Sequence, residues 1–242
     1  MKFILISIIF VTLAQISKAN TVTDEIVQNF LRPYKIEKTR NILLGGTLIT
    51  ASMVYIDRDF DKHNQAQISK HNFSEKICKE GNEKLQIVPN LIYFLANGIL
   101  GYTSDNGSVY TKRAVDMFNA TFYSSLTTNI IKPIINEKRP SGGNYSFPSG
   151  HTTSAFAFAS YVAMEHEWYW GVPAYLCASL VGYSRIATNF HYPHDVLMGA
   201  AIGMSYGLAQ YYKNYLDEIS YTPMIMPTGD GQGIKLLVTK EF

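Results

Sequence analysis

The sequence of this 242-residue chain predicts an all-α fold built as one domain. Apolar stretches of helical length recur along the chain, and the later ones are rich in Ala, Gly and Ser, the small residues that let helices approach closely. Sustained alternation of apolar and polar residues, which is typical of strands, does not occur in the sequence before the C-terminus. A chain of this length can form one well-packed hydrophobic core and is short for two.

The N-terminus has the order of a secretory signal peptide, predicted for residues 1–19. Lys2 precedes the apolar run Phe3–Leu13, and a small-x-small cleavage site follows at Ser17-Lys18-Ala19. The run is shorter than the roughly 20 residues of a spanning helix, which favours cleavage over a retained membrane anchor. The remaining residues, 20–242, are interpreted as a single helical domain.

The elements of that domain follow in order along the sequence. Residues 20–40 are polar and charged and read as a surface arm with one short helix. Near the C-terminus, residues 221–240 read as strand, turn and strand, which predicts a β-hairpin. Between these ends, six apolar stretches are predicted as helices: Asn41–Ile56, Leu85–Tyr102, Lys112–Ile131, Thr152–Met164, Trp168–Gly182 and Val196–Tyr212.

An acidic alternation at Asp57, Asp59 and Asp61 invites a calcium-loop interpretation. Lys62 stands where such a loop needs Gly for its turn, and Ile68 stands where it needs Glu. The segment is therefore interpreted as a solvated helix end. No Cys/His grouping at metal-ligand spacing occurs in the sequence, so no metal or other cofactor is expected.

The charge balance argues against nucleic acid as a partner. The chain has 21 basic and 19 acidic residues, and cleavage after residue 19 would remove Lys2 and Lys18 and leave 19 of each. A surface that follows a phosphate backbone needs a large basic excess. Any positive charge that matters to function is therefore expected to be local.

The predicted export implies an oxidising compartment such as the periplasm, with the protein soluble or attached to a membrane surface. One apolar run, which opens at Leu85, reaches the length of a spanning helix. The near-zero mean hydropathy, and the polar residues within the runs, favour buried helices instead, with an integral membrane protein as the alternative. Cys78 lies in a polar segment and Cys177 in an apolar one, which disfavours a disulfide but leaves it open.

Three fixed cations and a Ser-Gly turn between residues 132 and 195 suit the binding of phosphate. Arg139 and Arg185 can each bind two phosphate oxygens in a fork, and Lys132 adds a point charge. Ser149 and Gly150 directly precede an apolar helical run, so backbone N–H groups there would face an oxyanion, with the Ser149 hydroxyl beside them. Any one of these residues alone is more often a solvated charge or an ordinary turn. Together they predict a phosphate site.

Two histidines near these cations could supply nucleophilic and acid–base chemistry. Pro193 suits the first position of a helix, which places Asp195 in the first turn within reach of His191. A carboxylate on one imidazole nitrogen fixes the tautomer and leaves the other nitrogen free as a nucleophile. His151, at the start of another helix, is placed to protonate a leaving oxygen. His194 is left outside the site, because helix geometry is expected to turn it away.

In combination these residues resemble the three-part signature of the type 2 phosphatidic acid phosphatase superfamily, with every signature position filled. The pattern reads Lys132-(six residues)-Arg139-Pro140, then Pro148-Ser149-Gly150-His151, then Ser184-Arg185-(five residues)-His191-(three residues)-Asp195. The surrounding helical pattern extends the resemblance over residues 40–212.

The resemblance implies a metal-independent phosphatase on a bundle of about six helices. It implies that His191 attacks phosphorus to form a phosphohistidine, that Asp195 orients His191, and that His151 protonates the leaving oxygen and then activates water. It also implies that five residues neutralise the phosphoryl oxygens: Lys132, Arg139, Ser149, Gly150 and Arg185. Such a division suits phosphoryl transfer, where positioning and electrostatics supply most of the catalysis.

The expected substrate is a phosphomonoester or pyrophosphate, preferably one carried on a lipid. The lipid preference comes from apolar Val196–Ala201 directly after His191–Asp195, which resembles the lipid-phosphatase branch. A soluble broad-specificity acid phosphatase is the alternative at the level of substrate. Vanadium-dependent haloperoxidases resemble the same superfamily and are a weaker alternative, as is an inactive binding module, which the complete set of eight site residues disfavours.

Overall fold

The computed structural model describes residues 22–55, 58–70, 75–217, 221–227 and 234–240 of the chain. The predicted signal peptide lies outside these residues. Within them the fold is helical, as predicted, with eight helices rather than about six. In chain order these are α1 (Val22–Lys35), α2 (Glu37–Tyr55), α3 (Arg58–Lys70), α4 (Glu75–Thr103), α5 (Gly107–Ile135), α6 (Gly150–Glu165), α7 (Trp168–Ala187) and α8 (Pro193–Asp217).

The two additional helices, α1 and α3, lie in segments that the sequence analysis read as polar arms or helix ends. In α1 the first turn carries Asp24 and Glu25 and the last turn carries Arg32 and Lys35, so its charges complement the helix dipole. In α3 the helix is polar along most of its length, yet Asp61 is fully buried. Polar composition therefore concealed α3 as a separate helix, whereas α1 agrees with the short helix predicted within residues 20–40.

Helices α6 and α8 pack closely at the end of the bundle where both helices begin, which we call the polar end. Gly199, Gly203 and Gly207 repeat every four residues on α8 and so share one face. A Cβ atom at any of the three would lie under 3.0 Å from a backbone carbonyl oxygen of the segment 149–157. The absence of side chains at these positions lets the first turns of the two helices lie side by side.

A hydrophobic core lies beneath that end of the bundle and joins α1, α2, α5 and α8. Tyr206 is fully buried at its centre, and its hydroxyl donates to the carbonyl of Phe30 at 2.7 Å while lying 2.6 Å from Oγ1 of Thr127. The buried members of the core are Leu43, Tyr123, Ile131, Phe147, Met198, Ile202 and Tyr206. Phe147 belongs to the loop before α6, so the core also anchors that loop.

Helix α4 differs from the other helices in its exposure. Its segment Lys84–Thr103 is the one stretch among the described residues that is long and apolar enough to cross a membrane, and only 6% of it is buried. The large apolar side chains that α4 exposes include Ile87, Val88, Leu91, Ile92, Leu95 and Ile99. The apolar surface continues on neighbouring helices through Phe118, Phe122, Trp168, Trp170 and Leu176. We call this surface the lateral apolar face.

Two strands follow the helices, β1 (Tyr221–Pro227) and β2 (Ile234–Lys240). They pair antiparallel, with Tyr221 opposite Lys240. Residues 228–233, which would form the turn, lie outside the described residues, so the C-terminal hairpin as a unit stays a prediction. Cys177 is a free thiol, and the side chain of Cys78 lies outside the described set.

Candidate functional site

The eight residues singled out from the sequence lie at helix ends or in adjacent loops at one end of the bundle. Lys132 is in the last turn of α5 and Arg185 in the last turn of α7. Ser149 caps α6, which begins at Gly150 and His151. Arg139 and His191 come from the loops before α6 and α8, and Asp195 is in the first turn of α8.

Several hydrogen bonds fix the loop between α5 and α6, which carries Arg139. Asn136 ends α5 in the left-handed conformation (φ 49°), and its N–H donates to the carbonyl of Lys132 at 2.9 Å. Farther along, the N–H of Arg139 donates to the carbonyl of Gly143 at 2.6 Å. Gly142 within this turn has φ 94°, a conformation that other residues rarely adopt. The ammonium of Lys132 donates to the carbonyl of Tyr145 at 2.8 Å, which holds the loop against α5.

Both arginines lie against one aromatic ring. The guanidinium carbon of Arg185 is 4.3 Å from the ring centroid of Phe190, and that of Arg139 is 5.6 Å from the same centroid. Cations are attracted to aromatic faces at such distances. Phe190 therefore holds two like charges beside each other and limits their rotation. The sequence analysis did not identify Phe190; its position directly before His191 was the available signal.

The start of α6 supplies backbone donors to the site. The first N–H groups of a helix have no intrahelical acceptor, so they are available to an anion. Gly150 lies beside the side chain of Lys132. A Cβ atom at Gly150 would be 4.0 Å from Cε of Lys132. The hydroxyl of Ser149 lies 2.9 Å from Oγ1 of Thr152, so Ser149 faces its own helix.

Mutual repulsion of the positive charges is visible in the pKa values at the site. Burial, together with the positive charges of Arg139 and Arg185, lowers the pKa of Lys132 to about 8. Burial also lowers the pKa of His151 to about 4, assisted by Arg185, His191, Lys132 and Arg139. His151 is therefore neutral near pH 7. An anion bound among these groups would relieve the repulsion.

His191 and Asp195 form a buried pair. Nδ1 of His191 lies 3.4 Å from Oδ2 of Asp195, and both side chains are at most 2% exposed. The same Oδ2 accepts hydrogen bonds from the hydroxyl of Ser146 at 2.5 Å and from the backbone N–H of Tyr192 at 2.8 Å. Because the carboxylate is the acceptor, Nδ1 of His191 carries the proton and Nε2 keeps a lone pair.

The protonation states of this pair follow from its surroundings. Burial lowers the pKa of His191, against the opposing effect of Asp195, and the charges of Lys132 and Arg185 add to the decrease. For Asp195, burial alone would raise the pKa, but the contact with His191 and the nearby positive charge of His194 hold it well below the usual carboxyl range. A neutral imidazole thus faces an ionised carboxylate.

The backbone that carries His191 is fixed by the end of α7. The N–H groups of Phe190 and His191 both donate to the carbonyl of Arg185 at 3.1 Å. Asn189 between them and α7 is left-handed (φ 60°), which permits the reversal. Its side-chain oxygen accepts a hydrogen bond from Gln65 of α3 at 2.6 Å. The arginine and the histidine of this segment are therefore positioned together.

Two expectations from the sequence are wrong, and both concern the layer behind Asp195. His194 was placed outside the site, but its Nε2 lies 3.1 Å from Oδ1 of Asp195. Asp61 was read as part of a solvated helix end, but it is fully buried and its Oδ2 lies 2.7 Å from Nδ1 of His194. The two residues are 133 positions apart, so no local pattern could indicate the contact.

A group of potential metal ligands lies in the same layer, in Glu137, His194 and Asp195, with ligand atoms within 4.8 Å of one another. Both ring nitrogens of His194 face carboxylate oxygens, Nδ1 that of Asp61 and Nε2 that of Glu137 at 3.0 Å. Ionised carboxylates only accept hydrogen bonds, so both nitrogens carry protons. A doubly protonated imidazole has no lone pair for a metal, and the group fits an ion-pair cluster better than a metal centre.

The segment that carries the site is similar in sequence to known proteins. The model of the PAP2 superfamily matches residues 137–217, which contain seven of the eight site residues. The chain is 30% identical over 185 residues to a lipid A 1-phosphatase of Porphyromonas gingivalis, an alignment that covers 74% of this chain and 40% of that protein. The chain thus spans less than half of the length of the curated lipid A 1-phosphatases that it matches.

Two solved structures share the fold. The crystal structure of Aquifex aeolicus LpxE aligns with a TM-score of 0.53 at 21% identity, over 63% of this chain and 94% of that one. The structure of a transmembrane PAP2-type phosphatidylglycerolphosphate phosphatase of Bacillus subtilis aligns with a TM-score of 0.61 at 17% identity, over 75% of this chain and 98% of that one. Both likenesses concern the helical architecture.

Proposed function

The chain belongs to the PAP2 superfamily, and we propose that it is a metal-independent phosphatase that removes phosphate from a membrane lipid. The observation that carries the proposal is a neutral, buried His191, paired with an ionised Asp195 and placed beside three cations. This arrangement is suited to attack on a phosphoryl group that the cations hold. We assign residues 20–242 to one catalytic domain.

The proposed reaction has two steps that use the same groups. In the first, the Nε2 lone pair of His191 attacks phosphorus, the bond from phosphorus to the lipid oxygen breaks, and His151 gives its proton to that oxygen. Asp195 stabilises the positive charge that develops on His191. In the second step, neutral His151 takes a proton from water, whose oxygen attacks phosphorus and releases His191 and inorganic phosphate.

The low pKa of His151 is compatible with these two reaction steps once the effect of bound substrate is included. In the free protein burial, assisted by the surrounding cations, lowers the pKa of His151 to about 4, so the imidazole is neutral. A bound phosphate carries negative charge next to the imidazole and would raise its pKa. His151 would then enter the first step protonated and leave it neutral, ready to activate water. The cations Lys132, Arg139 and Arg185 would stabilise the charge on the transferring group.

A lipid substrate is favoured by an apolar pocket of about 560 Å³ between α4, α6 and α7. Its lining is mostly apolar and includes Leu85, Phe158 and Pro173. Ala155, also in the lining, lies one helical turn after His151 on α6. The pocket therefore lies along α6, the helix whose first residues belong to the site. Such a pocket is a suitable place for an acyl chain. The relatives named as lipid A phosphatases support the same substrate class.

The lateral apolar face favours a protein embedded in the membrane. Monomeric soluble proteins rarely expose contiguous apolar patches of more than a few hundred Å². Here the exposed side of Lys84–Thr103 is continuous with exposed aromatic residues of α5 and α7. This weighs against the preference for a soluble or peripheral protein and favours the integral alternative that the sequence left open. The site residues lie at helix ends, outside Lys84–Thr103.

Phosphate release by the full chain, purified in detergent, tests the proposal. Lipid A 1-phosphate, phosphatidylglycerolphosphate and a water-soluble phosphomonoester would be compared in EDTA, with His191→Ala as the inactive variant. His63→Ala, at an exposed histidine of α3, is the matched control. We expect release from at least one lipid, lost in His191→Ala and retained in His63→Ala. Release from the soluble ester alone would favour the acid-phosphatase alternative, and release that survives His191→Ala would overturn the mechanism.

A further inference from the structure

We propose that His194, held between Asp61 and Glu137, is a positioning residue that keeps Asp195 ionised and directed at His191. The proposal rests on the proposed function, since Asp195 matters only if His191 reacts. It assigns a role to three residues outside the signature: Asp61, Glu137 and His194. We call this set the support cluster.

Asp61 fixes the imidazole of His194 in position and orientation. Its Oδ1 accepts the backbone N–H of His194 at 3.2 Å, while its Oδ2 accepts the ring Nδ1–H at 2.7 Å. One carboxylate thereby holds both the main chain and the side chain of the same residue. Since Asp61 belongs to α3, this contact also links α3 to the first turn of α8.

The opposite edge of the imidazole faces two further carboxylates. Nε2–H of His194 donates to Oε2 of Glu137 at 3.0 Å and lies 3.1 Å from Oδ1 of Asp195. Oδ1 of Asp195 has no hydrogen-bond donor with good geometry in the described part of the chain, so its contact with His194 is electrostatic. The two oxygens of Asp195 are thus divided, with Oδ2 toward His191 and Oδ1 toward His194.

The surroundings of the imidazole suit a cation. The rings of Phe147 and Tyr192 lie nearly parallel to it, at 18° and 15°, with centroids 5.8 and 5.6 Å away. Aromatic faces attract cations at such distances. Burial opposes the charge, but contacts with Asp195, Asp61 and Glu137 raise the pKa of His194 to about 11. His194 is therefore an imidazolium at any pH at which the protein would act.

The charge of His194 decides the state of Asp195. Asp61, His194 and Asp195 are all 0% exposed, so water screens their interactions little. Without the imidazolium, the positive charge that lies between Asp195 and the carboxylates of Asp61 and Glu137 would be absent. Like charges at close range raise the pKa of a carboxyl group. Asp195 would then be protonated at a higher pH, and a neutral acid would no longer stabilise positive charge on His191.

The decisive variant is His194→Gln, which keeps a hydrogen-bond donor and removes the charge. We expect kcat for lipid phosphate release to fall about tenfold or more at pH 7, with KM changed less than threefold, because Asp195 acts on the reacting group rather than on substrate binding. We also expect the acidic limb of the kcat/KM profile to move up by about one pH unit or more. His63→Gln, at the exposed histidine two residues after Asp61, should reproduce the wild-type profile.

Asp61→Asn gives an independent variant, because its amide oxygen can still accept the backbone N–H of His194. We expect a smaller decrease in kcat with KM unchanged. If the cluster acts as a unit, Asp61→Asn combined with His194→Gln should lose no more activity than His194→Gln alone. Circular dichroism and gel filtration in detergent would establish that each variant is folded.

Three outcomes would overturn the proposal while the wild type remains an active phosphatase. One is a wild-type pH profile in folded His194→Gln. Another is wild-type kcat in Asp61→Asn. The third is loss of wild-type activity in EDTA with recovery on adding Zn²⁺ or Mg²⁺, which would identify the cluster as a metal site. Absence of phosphate release from the wild type itself would instead reject the proposed function.

Discussion

The polar end of the bundle and the lateral apolar face are built on opposite principles. At the polar end, α6 and α8 touch through backbone atoms, and charged groups such as Asp195 and Asp61 are fully buried. On the lateral face, α4 leaves most of Lys84–Thr103 exposed, with its large side chains directed outward. Charged side chains are thus buried at the polar end, whereas large apolar side chains are exposed on the lateral apolar face. The comparison teaches that the polar end is held by contacts within the chain, whereas the described residues leave most of Lys84–Thr103 uncovered.

The largest effect is expected at the carboxylate of the polar end. Asp195→Asn should lower kcat by about three orders of magnitude, since a neutral amide cannot stabilise positive charge on His191. Asp116→Asn is the matched control, because Asp116 is also buried but lies within α5 away from the signature residues. Activity of Asp116→Asn should stay within threefold of wild type in the phosphate-release assay. Similar losses in both variants would mean that buried charge, rather than contact with His191, matters.

The second prediction compares the effect of an added methyl group on stability at the polar end and on the lateral apolar face. Gly203→Ala places a Cβ against the carbonyl oxygen of Thr153 and should destabilise the fold by about 2–3 kcal/mol, as overpacking does. Gly98→Ala on α4 meets nothing within 4 Å and should be neutral or stabilise by about 0.5–1 kcal/mol, as expected for a helix interior. Thermal unfolding in detergent would compare the two. Equal stabilities would contradict the close contact of α6 with α8.

A third comparison uses two phenylalanines. Phe190→Leu removes the ring that contacts both guanidinium groups, so we expect about a tenfold increase in KM from the loss of two cation–π contacts. Phe94→Leu, at a half-exposed ring of the lateral face, should leave KM unchanged with a short soluble substrate. Steady-state kinetics of both variants checks the expectation, and an unchanged KM in Phe190→Leu would show that the arginines need no such support.

The smallest effect concerns proton uptake on anion binding. Sulfate stays a dianion between pH 5 and 7, so any pH dependence of its inhibition constant belongs to the protein. Because the pKa of His151 is about 4 in the free site and rises when an anion binds, sulfate should bind more tightly as the pH falls, by about three- to tenfold over this range. His151→Gln should remove this dependence. A pH-independent constant in the wild type would show that His151 does not face the anion.

The sequence predicted the site best where the residues that act together lie close to one another in the sequence. The spacing of His191 and Asp195, and the Ser-Gly turn before His151, follow from helix starts, and the structure places all of these residues at one end of the bundle. The predicted helices agree with α2 and α4–α8 except at their ends. α3 was missed because its polar composition resembles that of a surface loop, whereas α1 agrees with the short helix predicted within residues 20–40.

What could not be predicted depends on tertiary packing. Asp61 is a polar residue in a polar helix, and only the approach of α3 to α8 makes it a buried partner of His194. The exposure of α4 was missed for a related reason, since an apolar helix has the same composition in a protein core and in a membrane. His194 was rejected on the geometry of its own helix, whereas its partners come from other segments.

One main-chain hydrogen bond between the starts of α6 and α8 has a wider consequence. The backbone N–H of Ser149 donates to the backbone carbonyl of Asp195 at 3.0 Å and ties together the two segments that carry His151 and His191. Main-chain atoms therefore set the separation of the two histidines, whichever side chains surround them. In evolution or in design, side chains around the apolar pocket can be exchanged while these main-chain atoms keep the starts of α6 and α8 together.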